Sequence, residues 1–149
     1  MGLKDKLASR SRPTDTYQLR VGDDTTARAE LAAAQVSGDE SRIVAAQLAV
    51  EECYEQVTIN PLPSPELEDL RQAHLPTDEQ RKRLGPGILF NPDTFVPALL
   101  AACVDSDVTE EDWYEYITAG VMTSGEVNAL WDVVWGLNYR PPDPTIPKG

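Results

Sequence analysis

The chain has 149 residues, of which 41% are hydrophobic and 26% are charged, and its formal net charge is −12 at pH 7. This length corresponds to one domain with loose ends, and the apolar fraction is large enough for a packed core. The 13 Lys and Arg against 25 Asp and Glu argue against a general nucleic-acid binder, because phosphate contacts require cationic side chains.

Residues 1–16 are polar and basic, and we expect them to form a flexible N-terminal arm. Leu3 and Leu7 lie four residues apart, which is compatible with a short frayed helix. The basic residues are not followed by the apolar stretch of a signal peptide, and no apolar run approaches the ~20 residues of a membrane-spanning helix. We therefore expect a cytoplasmic protein without a membrane partner.

Residues 17–84 predict a helical hairpin with short strands. Tyr17–Val21 alternates apolar and polar residues, as a half-buried strand does. Two helices should follow, one over the alanine-rich Ala27–Val36 and one from Glu40 to Gln56, where apolar residues recur every three or four positions. Thr58–Asn60 is extended, and pairing with the end of Tyr17–Val21 would form one short two-stranded β element.

Two shorter helices complete this region. Ser64-Pro65-Glu66 places a cap, a first-turn proline and an acid in the order typical of a helix start. Another turn of helix begins near Thr77 and ends in Arg81-Lys82-Arg83, where positive charge favours the end of the helix dipole. Gly85-Pro86-Gly87 then interrupts the helical pattern. We expect a flexible hinge there between the N-terminal and the C-terminal half of the chain.

Residues 88–140 predict a three-helix segment. Asn91 caps the first helix, which carries Pro92 at its first position. Thr109 and Thr123 are each followed three residues later by an acid, as in a capping box. The buried face of the first helix should comprise Phe95, Leu99, Ala102 and Cys103.

The last predicted helix carries an apolar stripe from Val127 to Leu137 and ends at Pro141-Pro142, so that residues 141–149 form a flexible proline-rich tail. We therefore predict a mainly α fold, a small helical domain of about six helices with at most one two-stranded β element.

Candidate catalytic and metal-binding residues are sparse. His74 is the only histidine and lies in a proline-flanked loop, which favours a loop or capping role over acid–base catalysis. Cys53 and Cys103 lie far apart and are predicted to be buried free thiols. One histidine and two scattered cysteines also do not build a zinc site. Asp105-Ser106-Asp107 begins like a calcium loop but departs from it at the sixth and twelfth positions. We predict no catalytic residue, no metal, no cofactor and no enzymatic activity.

Aromatic side chains are the candidates for a partner-binding surface. Trp113, Trp131 and Trp135 are core residues by default, but Trp135 lies beside the apolar stripe of its helix and would anchor a partner if it is exposed. The predicted binding residues are Trp135, Tyr139, Tyr116 and Tyr114, with Arg81, Lys82 and Arg83 as an electrostatic contact for an acidic partner.

Several short patterns resemble the C-terminal part of tail assembly chaperones from long-tailed phages and prophages of actinobacteria. They are Phe95-Val96-Pro97-Ala98-Leu99-Leu100-Ala101, Thr109-Glu110-Glu111-Asp112-Trp113, Ser124-Gly125-Glu126 and Trp135-Gly136-Leu137-Asn138. Leu62-Pro63, His74-Leu75-Pro76-Thr77-Asp78-Glu79-Gln80 and the closing Ile146-Pro147-Lys148-Gly149 are similar as well. The resemblance covers residues 60–149.

The resemblance implies a protein that is not an enzyme and that binds the long, helical, apolar tape-measure protein in the host cytoplasm. It would keep this client soluble until tail-tube subunits polymerise around it. Other phage tail or neck proteins, or further copies of the chain, are alternative partners, and nucleic acid is not one. Two other functions stay open: a structural virion protein, such as a head–tail connector or tail completion protein, and an acidic regulatory or DNA-mimic protein.

Overall fold

Helices account for most of the computed structural model, which describes residues 2–141 and 145. Within this part of the chain the helices are α1 (Leu3–Ala8), α2 (Thr25–Ser37), α3 (Glu40–Glu51), α4 (Ser64–Ala73), α5 (Asp78–Leu84), α6 (Pro92–Cys103), α7 (Glu110–Thr118) and α8 (Ser124–Tyr139). The strands β1 (Asp15–Arg20) and β2 (Tyr54–Ile59) pair as one antiparallel sheet. The predicted mainly α fold with a short β element is confirmed, and the short α1 and α5 bring the number of helices above six.

The elements group into two compact units. One unit is Thr16–Val57, and the other combines Met1–Asp15 with Thr58–Gly149. The helices α4 to α8 thus belong to the same unit. Of the predicted tail over residues 141–149, all but Pro141 and Thr145 lie outside the described residues.

The unit Thr16–Val57 is a helical hairpin in which α2 packs against α3. Gly38 ends α2 with a φ of 71°, a left-handed conformation that glycine adopts without steric cost. Asp39 then begins α3, because its carboxylate accepts hydrogen bonds from the backbone N–H groups of Ser41 and Arg42. The fully buried residues of the two helices are the small Ala34 and Ala46, which let the helix backbones approach closely.

The prediction that the second helix of the hairpin reaches Gln56 is wrong. The helix stops at Glu51, and Tyr54 already belongs to β2. The carbonyl of Cys53 accepts hydrogen bonds from the N–H groups of Val21 and Gly22, so pairing with the end of β1 replaces the last helical turn. The register also differs from the prediction, because Gln18 of β1 lies beside Gln56, with a side-chain hydrogen bond of 3.1 Å.

In the larger unit, α6 packs against α4, α7 and α8 and forms the centre of the core. Its side chains at Phe95, Leu99, Leu100 and Cys103 are buried, whereas Ala102, which we predicted to be buried, is exposed. Trp113 from α7, Leu130 and Val134 from α8, and Ile59 from the end of β2 complete the largest fully buried side chains.

Capping side chains begin the three helices of residues 88–140 as the sequence predicts. The Asn91 side chain accepts from the N–H of Asp93. Thr109 and Thr123 each form a complete capping box, with Asp112 and Glu126 as the returning acids. The start of each helix is therefore set by local hydrogen bonds, and α7 and α8 then pack against α6.

Two polar side chains, the buried Gln80 and the half-buried Asn138, hold the segments that join these helices. Gln80 of α5 is 5% exposed, and its amide nitrogen donates to Asn91 Oδ1 at 2.7 Å while its oxygen accepts from the N–H of Thr77 at 3.0 Å. The side chain of Asn138 accepts from the N–H of Leu62 at 2.9 Å and donates to Cys103 Sγ at 3.4 Å. The predicted hinge at Gly85–Gly87 is thus flanked by helices that Gln80 connects directly.

Replacement of Leu130 with Ala is expected to lower the free energy of unfolding by about 2–5 kcal/mol, because the side chain is fully buried and its removal leaves a cavity. Urea unfolding followed by circular dichroism measures this change. Val121→Ala is the matched control, since Val121 is 65% exposed and the expected change is below about 0.5 kcal/mol. Equal effects of the two substitutions would contradict the core described here.

Replacement of Gln80 with Ala is expected to lower the free energy of unfolding by about 1–3 kcal/mol, because it leaves the N–H of Thr77 without its acceptor and removes the hydrogen bond that Gln80 donates to Asn91. Lys82→Ala on the exposed side of the same helix is the control. Chemical unfolding of both variants tests whether Gln80 connects α5 to the start of α6, and an unchanged stability of Gln80→Ala would exclude that role.

Candidate partner-binding surface

Three aromatic side chains of α8 stand one above another at four-residue spacing, Trp131, Trp135 and Tyr139. The ring centroids of Trp131 and Trp135 are 5.7 Å apart. Trp135 stacks on Tyr139 at 4.1 Å with an interplanar angle of 29°. Residues spaced in this way share one helix face, so the row follows directly from the sequence positions.

Two phenylalanines from the start of α6 pack against this row. Phe90 lies 4.7 Å from Phe95, 5.9 Å from Trp131 and 5.5 Å from Trp135, measured between ring centroids. Phe90 precedes the cap Asn91 and Phe95 lies in the first turn, which is the arrangement of a hydrophobic staple. Phe95 is fully buried, so the staple ties Phe90 and the two tryptophans to the core.

A groove opens beside these rings at the surface of the larger unit. It has a volume of about 350 Å³ and is lined by Leu89, Phe90, Trp131, Asp132 and Trp135; we call it the Trp135 groove. Leu89 is 56% exposed, and both tryptophans are half-buried. Half-exposed indoles on a packed helix, next to an exposed leucine, are the anchors that protein interfaces favour.

Arg71 of α4 supports one wall of this groove. Its guanidinium donates to the carbonyl of Leu89 at 2.9 Å and forms an ion pair with Glu68. Hydrogen bonds from Arg71 and from Gln72 lower the pKa of Glu68 to about 2. The Glu68 carboxylate is therefore ionised at neutral pH, and the pair keeps Arg71 directed at the Leu89 backbone.

Tyr139 closes the buried end of the aromatic row. Its hydroxyl is buried and has no hydrogen-bond partner among the residues that the structure describes. Burial raises the pKa of the phenol, and the nearby guanidinium of Arg71 opposes that shift. Tyr139 thus packs behind Trp135 and does not line the Trp135 groove. Of the two residues, Trp135 is the one that the groove exposes to a partner.

Tyr114 and Tyr116 lie on α7, outside the Trp135 groove. Tyr114 is 49% exposed and lines a second groove of about 350 Å³, together with Ile117, Met122 and Val127. We call it the Tyr114 groove. Tyr116 is half-buried, and its carbonyl accepts a hydrogen bond from the N–H of Met122 at 3.2 Å. Of the four predicted aromatic residues, Trp135 and Tyr114 therefore line different grooves, and Tyr116 and Tyr139 line neither.

Arg81, Lys82 and Arg83 occupy the exposed last turn of α5, where their charge complements the helix dipole. Arg81 also pairs with Asp78 at 3.3 Å. None of the three lines either groove. Their position is that of a solvated helix end.

The histidine and the two cysteines, the candidates for catalysis or metal binding, lie in different segments of the fold. His74 ends α4, and its carbonyl accepts from the N–H of Asn91 at 2.7 Å. Its Nε2 lies 3.9 Å from Glu110 Oε1, and its ring faces Phe95. Cys103 is buried, which raises the pKa of its thiol, whereas Cys53 is partly exposed.

Metal-ligating side chains do not cluster in the described part of the chain: no group of three or more His, Cys, Asp and Glu could hold an ion there. Nor does any helix among those residues have the length and apolar character needed to cross a membrane.

Leu89 and Phe90 were missed by the sequence interpretation. The signal was present, because an apolar pair directly before the cap Asn91, with Phe95 four residues after that cap, is the pattern of a hydrophobic staple. No family model, curated protein or solved structure matches the chain.

The pKa shift of Tyr139 predicts a pH dependence. A raised folded-state pKa favours the neutral phenol, so the contribution of Tyr139 to stability is complete below about pH 10 and falls as the pH rises through the raised value. The difference between the ultraviolet tyrosinate titrations of the native chain and of Tyr139→Phe should isolate a phenol that ionises above about pH 10. Tyr139→Phe should also reduce the loss of stability at alkaline pH. A difference titration centred at or below about pH 10 would contradict the buried position.

Proposed function

We propose that this protein is a tail assembly chaperone of a phage or prophage, which binds the tape-measure protein in the host cytoplasm and keeps it soluble. The observation that carries the proposal is the Trp135 groove, where Trp131, Trp135 and Leu89 remain accessible on a packed scaffold. The resemblance of residues 60–149 to such chaperones supports it, because Trp135 and Asn138 stand in one of the matching patterns.

The groove suits a client helix because its walls are held before binding. Phe90 is fixed by its contact with Phe95, and the Leu89 backbone is held by Arg71. A surface that is already ordered loses little conformational freedom on binding, so more of the apolar contact energy appears as affinity. An apolar helix face can lie in such a groove through a few side chains spaced along one face of the helix.

The charge of the chain suits a chaperone as well. Each bound copy would add a formal charge of −12 to the client. Like charges keep neighbouring complexes apart and maintain solubility, while the apolar groove covers the client surface that would otherwise aggregate. The function then needs no bond-making step, only reversible coverage of an apolar helix.

A structural virion protein is the second candidate, and α1 is the observation that favours it. Leu3 is 72% exposed and Leu7 is 55% exposed, and no residue of α1 is buried. A basic helix of this kind would gain contacts by ordering against a neighbouring subunit during assembly. Purified virions discriminate the two functions, because a connector is present at a fixed copy number and a chaperone is absent.

Co-expression with a tape-measure fragment tests the proposal directly. The fragment should become soluble and co-purify with the wild-type chain. Trp135→Ala is expected to weaken this complex about 30-fold or more, since a central aromatic anchor is commonly worth at least ~2 kcal/mol. Capture that is unchanged by Trp135→Ala, with folding intact, would count against the Trp135 groove as the contact.

Leu89→Asp provides a second variant in case Trp135→Ala disturbs the packing against Tyr139. Leu89 is 56% exposed, so a charged side chain there should leave the fold intact and block apolar contact. Leu48→Asp on α3 is the matched control, because Leu48 is 54% exposed and lies in the other unit. The proposal requires loss of capture with Leu89→Asp and normal capture with Leu48→Asp.

A further inference from the structure

The two grooves follow one another along a single face of α8. The Tyr114 groove takes Val127 and Asn128 from this helix, and the Trp135 groove takes Trp131, Asp132 and Trp135. Positions 127, 131 and 135 are one turn apart and share a face. From Val127 to Trp135 the helix rises about 12 Å, or roughly two turns. A ligand that lies along α8 would therefore meet both grooves in turn.

The start of α6 forms a common wall beside them. Pro92 and Val96 line the Tyr114 groove, and the adjoining Leu89 and Phe90 line the Trp135 groove. The Trp135 groove is mainly apolar, with indole, phenylalanine and leucine side chains. The Tyr114 groove combines apolar side chains, such as Ile117, Met122 and Val127, with polar ones: Asp93, Thr118, Ser124 and Asn128. Two apolar anchors on one ligand would thus find two separate seats.

The segment that lines the grooves is strongly acidic. Residues 88–140 contain one basic residue, Arg140, against nine carboxylates: Asp93, Asp105, Asp107, Glu110, Glu111, Asp112, Glu115, Glu126 and Asp132. Asp93 lines the Tyr114 groove, and Asp132, which is paired with Arg140, lines the Trp135 groove. The excess of carboxylates attracts a cationic ligand to this face and repels an anionic one. The attraction is stronger at the Tyr114 groove, because Arg71 and Arg140 lie beside the Trp135 groove.

We infer that the two grooves form one binding channel for a basic amphipathic helix, with apolar anchors about seven residues apart and Lys or Arg beside them. One anchor would enter the Trp135 groove and the other the Tyr114 groove, because a separation of about two turns matches i and i+7 on the client helix. This inference rests on the proposed function and names the chemical class of the client segment.

Matched synthetic peptides test the inference on the full chain. Both peptides are helical, carry two leucines seven residues apart and differ only in their flanking residues, which are Lys in one and Glu in the other. Fluorescence anisotropy of the labelled peptides should show binding of the Lys peptide that weakens with added salt, and no binding of the Glu peptide. Equal binding of both peptides would overturn the assignment of a basic client.

Substitutions in the protein locate the binding. The double variant Asp93→Asn and Asp132→Asn should bind the Lys peptide roughly three- to tenfold more weakly at low salt, since exposed ion pairs contribute modestly. Asp105→Asn with Asp107→Asn is the matched control, because it removes two exposed carboxylates that line neither groove. Tyr114→Ala should weaken binding of the peptide with two leucines. It should not change binding of a variant peptide that keeps only the leucine for the Trp135 groove. Equal losses in the two double variants would overturn the channel.

Different results would overturn the channel and the chaperone function. If neither Asp93→Asn with Asp132→Asn nor Tyr114→Ala changes capture of a tape-measure fragment, the chaperone function is supported and the channel is overturned. If the Lys peptide binds but no tape-measure fragment is captured, the channel is supported and the chaperone function is overturned. If the Lys peptide binds only after Leu3→Asp and Leu7→Asp, the basic helix α1 of the chain itself is the occupant, and the client assignment is overturned.

Discussion

The packing of Phe90 against Phe95 is the contact on which the candidate binding surface depends. Phe95 belongs to the core, and Phe90 belongs to the segment that walls the Trp135 groove, with the cap Asn91 between them. Because Phe90 also touches Trp131 and Trp135, this one pair sets the distance between the start of α6 and α8. Aromatic pairs of this kind contribute about 0.5–1.5 kcal/mol beyond the area they bury, and here they position accessible rings.

Polar side chains complete what the aromatic packing begins. Gln80 connects α5 to the cap of α6, Arg71 holds the backbone at Leu89, and Asn138 joins α8 to Leu62 and Cys103. Each of these side chains bonds to a connecting segment, where regular helical hydrogen bonds are absent. The loops around the grooves are thereby fixed to helices, which is why an irregular segment such as Leu89–Phe90 can serve as a wall.

How far the sequence predicts this structure depends on the range of the interaction. The caps at Asn91, Thr109 and Thr123 act over three residues, and all three were predicted correctly. The end of α3 was not, since the apolar repeat continues past Glu51, and only hydrogen bonds from Val21 and Gly22, some thirty residues earlier in the chain, select a strand. The periodicity of α8 places Trp135 at the edge of the apolar face, but its accessibility depends on Leu89 and Phe90 from a segment without periodicity.

The closeness of the aromatic rings in α8 has an optical consequence. Indole groups whose centroids are 5.7 Å apart couple their electronic transitions, and the stacked phenol of Tyr139 at 4.1 Å joins them. The near-ultraviolet circular dichroism of the native chain should therefore contain an exciton signal from Trp131 and Trp135. A ligand that changes the angle between these two rings would alter the signal without any added dye, so the protein carries an intrinsic spectroscopic reporter of its own surface.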